Sequence, residues 1–265
     1  MITFNKLLIF FGTLLCFESQ AQVIKKATES QARESDFTIK NVNLEIKKNI
    51  EFEFDVKFSN INIGKLKYFI ENDKKLVHSK ATLKTNSFYD FIFKIRDELN
   101  SRYNKESLRP EEFNFIKKEG KKESFVNMKF DPEKIHFKEK WKKKKKSGKK
   151  EKTYSNEGRE FYDILTMLNR AIFSNGELKK KDYFWLALKS NFYKVVLKDK
   201  HFFKVRYKNR KVDAFKYKFS SFKGSKEEKK GDFSIVVLKG ATPVFYELQG
   251  HLKIGKIKGT LKNAR

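Results

Sequence analysis

Glu51 to Phe58 reads EFEFDVKF, so Phe52, Phe54, Val56 and Phe58 alternate with Glu51, Glu53, Asp55 and Lys57. Successive side chains of an extended chain point to opposite faces, so this segment is a strand with one apolar and one wet face. The pattern restarts at Ile61-Asn62-Ile63-Gly64 and continues through Leu66, Tyr68 and Ile70, with its phase shifted by one residue across Gly64-Lys65. A bulge or sharp bend at Gly64 restores one buried face. Asn60 supplies the turn that pairs the two segments antiparallel.

The same reading predicts strands over Leu76–Thr85, Tyr89–Ile95 (with Phe91, Phe93 and Ile95 in register) and Leu99–Tyr103. Further strands run through Phe113 and Phe115, through Val126 to Phe130, and from Ile135. Lys138–Lys152 interrupts the pattern with ten lysines, five of them consecutive, and reads as a basic loop of a hairpin. Phe161, Ile164, Leu165, Leu168 and Ile172 then recur at three- and four-residue steps, which predicts a helix over about 158–173. Ser155 or Asn156 would cap its start and Ser174-Asn175-Gly176 would stop it. Strands resume at Tyr183–Leu188, Tyr193–Leu197, His201–Tyr207, Val212–Phe219, Phe233–Leu238, Pro243–Leu248 and His251–Thr260. Short strands joined by polar turns make a meander of about thirteen strands and one helix. That is too many for one flat sheet. The expected fold is all-β: a strongly curved antiparallel sheet or partly open barrel or sandwich with one packing α-helix.

Composition fits this core. Of 265 residues 28 are Phe, 39% are hydrophobic and 15% aromatic, which excludes a disordered chain even at net charge +28. Aromatic rings must fill the interior, either solidly or around a ligand-sized cleft. Residues 1–21 differ from the rest: Lys6, an apolar run from Leu7 to Phe17 and then Ser19-Gln20-Ala21 form the pattern of a signal peptide cleaved before Gln22. The run is short for a bilayer span. Cys16, preceded by Leu14-Leu15, lacks the small residue expected before a lipidated cysteine. Residues 22–43 read as a flexible lead-in and 44–262 as a single β domain. Loss of Cys16 with the signal leaves no cysteine, hence no disulfide, thiolate nucleophile or cysteine-ligated metal. An outer-membrane barrel is disfavoured, because lysine populates the second face of the strands where a lipid-facing band would need apolar residues.

The search for chemistry returns little. His78, His136, His201 and His251 show no metal-ligand spacing, and no HExxH, GxSxG or glycine-rich phosphate loop occurs. The sequence therefore assigns no catalytic, metal or cofactor-binding residue. Asp90, Asp97 and Asp163 are the carboxylates that would have to converge in an enzyme. Asp163 falls in the first turns of the expected helix, where an acid complements the dipole, and Arg170 lies two turns on along the same side. Asp97, Asp163 and Arg170 are thus candidates for a ligand-binding or structural polar site. Trp141 with Lys142, Lys143, Lys144, Lys145 and Lys146 forms a candidate contact for an anionic surface, since lysine and tryptophan together suit the boundary between water and head groups.

Several stretches resemble one family. They are Phe52-Glu-Phe-Asp-Val-Lys-Phe-Ser-Asn-Ile-Asn-Ile-Gly64-Lys-Leu, then Ala81 through Asp97 followed by Leu108-Arg-Pro110, the aspartate-led Tyr162-Asp163-Ile-Leu-Thr-Met-Leu-Asn-Arg170, and Thr242-Pro243-Val through Ile254-Gly-Lys-Ile-Lys-Gly-Thr-Leu261. In this order, over about residues 48–262, the chain resembles the DUF3108 family of exported bacterial envelope proteins of unknown function. The resemblance implies a curved antiparallel sheet broadly similar to periplasmic lipoprotein carriers and a periplasmic or envelope location; residue usage rich in Lys, Asn, Ile and Phe points to a Gram-negative host. The basic segment 138–152 departs from the family pattern.

The resulting expectation is a non-enzymatic envelope protein binding an amphipathic or anionic component: lipid, lipoprotein or glycan. The alternatives are a structural or assembly factor for another envelope protein, and a hydrolase-like envelope enzyme. Export argues against nucleic acid as the partner.

Overall fold

Strand pairing begins where the phenylalanine alternation begins. The computed structural model describes residues 49–73, 75–174, 176–227, 231–252 and 255–265; the expected signal peptide (1–21) and lead-in (22–43) lie outside the described residues. β1 (Ile50–Phe58), β2 (Ile61–Asp73) and β3 (Leu76–Thr85) lead to a one-turn helix α1 (Ser87–Asp90). β4 (Arg96–Asn104), β5 (Pro110–Glu119), β6 (Lys122–Phe130), β7 (Lys134–Lys143) and β8 (Lys146–Ser155) follow. β9 (Phe161–Tyr162) precedes helix α2 (Ile164–Phe173). The rest is β10 (Tyr183–Leu188), β11 (Asn191–Tyr207), β12 (Arg210–Lys223), β13 (Lys226–Glu227), β14 (Phe233–Leu238), β15 (Val244–Leu252) and β16 (Gly255–Ala264).

All of these strands share one sheet. Its order is β8-β7-β6-β5-β4-β3-β2-β1-β16-β15-β14-β12-β11-β10-β9, with β13 beside β12. Every pairing is antiparallel except β9 with β10. The edge strand β8 meets the β10–β11 hairpin, near the other edge, through side chains. The Tyr154 ring on β8 packs edge-on against Phe192 on β11 with centroids 5.0 Å apart, and Lys150 Nζ donates to Ser190 Oγ at 3.3 Å. The sheet thus curls into a barrel whose seam is closed by side chains rather than by a strand ladder.

The first hairpin follows the alternation. Ser59 and Asn60, both at positive φ, make the two-residue turn whose twist suits a hairpin. The register slips where Val56 faces Gly64 and Lys57 faces Asn62, which is the bulge that the phase shift requires. Gly64 is needed there: a Cβ would overlap the Lys84 carbonyl oxygen and lie 3.0 Å from Thr85 Cα. Phe52, Phe54 and Val56 then face inward with Leu66, Tyr68 and Ile70. The rings of Phe54, Tyr68 and Phe245 pack edge-on at 5.0 and 6.0 Å, an arrangement that adds to their burial. The outward face of this region is a wet ladder, with Lys65–Glu53 at 2.9 Å, Lys67–Glu51 at 3.3 Å and Lys80–Glu98 at 2.8 Å.

Four expectations need correction. Residues 138–152 are not a loop: β7 and β8 pair from Lys134 with Ser155 to Lys143 with Lys146, leaving only Lys144 and Lys145 in the turn. Backbone pairing with β6 overrides charge repulsion because the lysine side chains reach water, and the Trp141 ring lies over Gly148, where a Cβ would come within 2.6 Å of Cζ2. Tyr89–Ile95 is not a strand. Asn86 accepts from the N–H groups of Tyr89 and Asp90 at 2.9 and 3.0 Å, coiling the chain so that Tyr89 and Phe93, four residues apart, both reach the core. The long helix begins at Ile164 rather than near 158, with Asp163 as its cap, because Phe161 and Tyr162 pair with Trp185 and Leu186 as β9. Finally, Tyr193–Leu197 and His201–Tyr207 belong to one strand, β11, which passes Asp199 through a register shift instead of turning at Lys198-Asp199-Lys200.

Helix α2 is buried from Ile164 to Ile172 on every side. A helix without a wet face must be surrounded by protein. It lies inside the barrel, against β3 and β4 on one wall and β10 on the other.

Candidate functional site

The structure places the three predicted polar residues in three separate settings. Asp163, fully buried, accepts from the N–H groups of Leu165 at 2.8 Å and Thr166 at 3.1 Å, and from the hydroxyls of Ser101 at 2.7 Å and Thr166 at 2.6 Å. Burial pulls its carboxyl above the ordinary value, against hydrogen bonds that favour the charged form. Nearly two turns further along α2, Asn169 accepts from the Tyr68 hydroxyl at 2.6 Å and donates to Ser79 Oγ at 2.7 Å and the Tyr103 hydroxyl at 2.8 Å. Asn169 is a residue that the sequence reading passed over; its place bordering the apolar stripe, four residues after Leu165 and three before Ile172, was the available signal. Together these bonds fix α2 to β2, β3 and β4, and they are the chemistry of a held plug.

Arg170 does not turn to Asp163. Its guanidinium bonds the Tyr162 hydroxyl, lies 4.6 Å from the Tyr162 ring centre and sits 3.8 Å from Glu160. Glu160 in turn accepts from Arg109 Nε at 3.0 Å. Asp97 lies inside the barrel near the start of β4, roughly 13 Å along the strand from Ser101. It accepts from the Lys118 N–H at 2.9 Å and interacts directly with Glu119, which bonds Lys117 at 2.7 Å. Burial, with the neighbouring Glu119 charge, pushes the Asp97 carboxyl up to about 7; burial likewise raises Glu119. Asp90 is elsewhere again, on α1, where Arg96 and the Thr85 hydroxyl hold it and keep its carboxyl below the ordinary range. The carboxylates that an enzyme would need together are thus committed to different partners.

A different set of residues converges at one end of the barrel. α1 is braced by the Asp90–Arg96 pair, by Thr85, and by Tyr89 and Phe93 packed on the core. Bracing those residues turns the others outward: Phe91 is 96% exposed, Phe88 73% and Ile92 47%. Asn86 Nδ2 reaches Asn62 Oδ1 at 3.3 Å, tying the knob to the start of β2. On its other side Gly120 N donates to Lys94 O at 2.8 Å, and Lys144 N donates to Lys121 O at 3.5 Å. Three turns therefore stand in a row: the α1 knob, Gly120-Lys121, and Lys144-Lys145.

Around these turns Lys94, Lys118, Lys121, Lys122 and Lys142 through Lys146 are all exposed. Of the nearby acids, Glu119 is buried on Lys117 and Asp90 is committed to Arg96, which leaves exposed Glu123 as a counter-charge. The predicted Trp141 belongs to this rim. A cleft of about 280 Å³ is lined here by Trp141, Phe125, Lys118, Lys140 and Lys142; the register pairs Trp141 with Ser124 on one face of the sheet and Phe125 with Lys140 on the other. The lysine run and Trp141 were readable in the sequence; the knob was not, because its aromatic alternation imitates a strand. The rim offers apolar insertion beside dense positive charge, the chemistry of an anionic amphiphile contact.

Known proteins match this chain as follows. The family model described as "Protein of unknown function (DUF3108)" matches residues 53–262. No curated protein matches the chain. A solved structure, a β-barrel-like protein of domain of unknown function DUF1849 from Brucella abortus, is similar at TM-score 0.54 with 12% identity, over 82% of this chain and 97% of that one. That likeness concerns the fold alone.

Proposed function

The chain belongs to the DUF3108 family, of unknown function, and from that premise we propose that it is an exported, non-enzymatic protein of the bacterial cell envelope. On this reading it binds an anionic, amphipathic envelope component. Lipid, lipoprotein and glycan all carry the acidic groups concerned, and the acyl chains of the first two also suit the knob. The observation that carries the reading is the row of three bonded turns, which sets Phe88, Phe91 and Ile92 directly beside exposed lysines. Export rests on the signal pattern of residues 1–21, and location in the periplasm or envelope on the same segment. The separate commitments of Asp90, Asp97 and Asp163 support a binding role over hydrolysis.

Two measurements test it. In the organism that makes the protein, the envelope fraction should hold a form beginning at Gln22; a cytosolic form retaining Met1 would remove export from the reading. Protein from that fraction should bind dodecyl phosphate below its micelle threshold, with affinity that weakens as salt rises. Failure to bind that amphiphile, together with no acidic lipid or glycan released on extraction and mass spectrometry, would remove the binding role.

A further inference from the structure

The rim has the shape and chemistry of a surface that lies on a membrane plane. We infer that the barrel docks end-on onto an anionic lipid bilayer, with Phe88, Phe91 and Ile92 inserted at the boundary between head groups and acyl chains and the lysine turns seated on the phosphates. This rests on the proposed binding of an anionic amphiphile and commits its source to a bilayer surface.

Three observations carry it. First, Phe88 and Phe91, the two most exposed large apolar side chains among the described residues, and Ile92 share a single turn, and that turn is rigidly mounted: Asp90 bonds Arg96 and Thr85, while Tyr89 and Phe93 root it in the core. A stable protein partner would need about 20–30 residues a side; insertion into a bilayer needs only a few apolar side chains supported by charge. Second, the basic residues are placed for a plane rather than a pocket. The turns at Lys121 and at Lys144 continue the row of the knob through the bonds Gly120–Lys94 and Lys144–Lys121. Lysines presented this way act together on a negatively charged surface within a Debye length. Third, the barrel wall beside the knob is unsuited to lipid. β1 to β4 present outward the ion pairs Lys65–Glu53, Lys67–Glu51 and Lys80–Glu98, mixed in sign and wet. The end of the barrel, and not its side, meets the bilayer.

The test uses the exported protein purified from the envelope and sedimented with vesicles of phosphatidylcholine alone or mixed with phosphatidylglycerol. Binding is expected only to the mixed vesicles and should fall steeply with salt. The double variant Phe88→Ser/Phe91→Ser should lower partitioning by about tenfold or more, since binding strength follows buried apolar area as well as charge. In the single variant Phe91→Trp, emission should shift to the blue on mixed vesicles and be quenched by brominated acyl chains. Vesicle binding that the double variant leaves unchanged, or an unquenched Trp at position 91, overturns the insertion. Capture of dodecyl phosphate without any vesicle binding overturns the bilayer as partner while leaving the proposed function standing. Failure with both probes overturns the docking, and removes the proposed function as well when extraction also releases no acidic lipid or glycan.

Discussion

Around α2, Asp163, Asn169, Ser101, Thr166, Tyr68 and Tyr103 lie inside the barrel and bond one another; at the rim, Phe88 and Phe91 lie outside it and touch water. The two regions invert the usual sorting of polar and apolar groups, for opposite reasons. A buried polar group is costly unless paired, so a completed network fixes one docked position for a helix that apolar contacts alone would hold less specifically. An exposed phenylalanine contributes little to folding, so a rigid mount that holds two of them in water serves contact with something else. The contrast predicts which substitutions unfold the protein and which disarm it.

Asp163→Ala should break the contrast most severely. It removes the cap and leaves the Ser101 and Thr166 hydroxyls only each other, 3.0 Å apart, in the interior, a loss of about 2–3 kcal/mol. A lowered denaturation midpoint would show it, and an unchanged midpoint would mean that α2 is not held as described. Asn169→Ala leaves Tyr68, Ser79 and Tyr103 to re-pair among themselves and should cost roughly 2 kcal/mol in the same assay. Asp97 and Glu119, just beneath the rim, supply a pH test. Their folded carboxyls sit above the ordinary carboxylate range, Asp97 at about 7. Folding therefore takes up protons: the stabilisation is full below about pH 4, where the unfolded chain is also protonated, and is lost as pH rises through the folded value. Asp97→Asn keeps an acceptor for the Lys118 N–H and should flatten the stability profile between about pH 5 and 8 by roughly 1–2 kcal/mol. Parallel profiles for the variant and the parent would refute the coupling. The smallest effect on folding belongs to the rim: Phe88→Ser/Phe91→Ser should leave the midpoint within about 0.5 kcal/mol. A larger loss would show that the knob belongs to the core and would weaken its role in contact.

How much of this could be read in advance depended on which force dominated locally. Phe52 to Phe58, the slip at Gly64 and the stripe Ile164 to Ile172 follow from burial with a fixed period, and each was legible. The strands through Lys138–Lys152 were hidden because their positions are set by backbone pairing to β6, which leaves no apolar period. The knob was hidden for the opposite reason. Tyr89, Phe91, Phe93 and Ile95 alternate as a strand does, but Asn86 coils the chain and sends Phe91 outward. Of the candidate site, Trp141 and the lysine run could be located but not oriented. The bonds Gly120–Lys94 and Lys144–Lys121 that align the rim are main-chain contacts without a side-chain signature.

Glu51 and Arg265 exchange both of their main-chain hydrogen bonds at 3.0 Å, so the first and last described strands are neighbours in the middle of the sheet. Every other neighbouring pair joins strands next to one another in the chain or separated by a single short element. Kinetically, the barrel is two meanders of low contact order, β1–β8 and β9–β16, each able to zip hairpin by hairpin. They are stapled at three places: the β1–β16 ladder, the side-chain seam of Tyr154 with Phe192, and α2, whose polar partners Tyr68, Ser79, Ser101 and Tyr103 all belong to the first meander. The slow step of folding is then the meeting of two half-built sheets, and a chain emerging from its N-terminus can complete the first half before the residues that will close it have arrived.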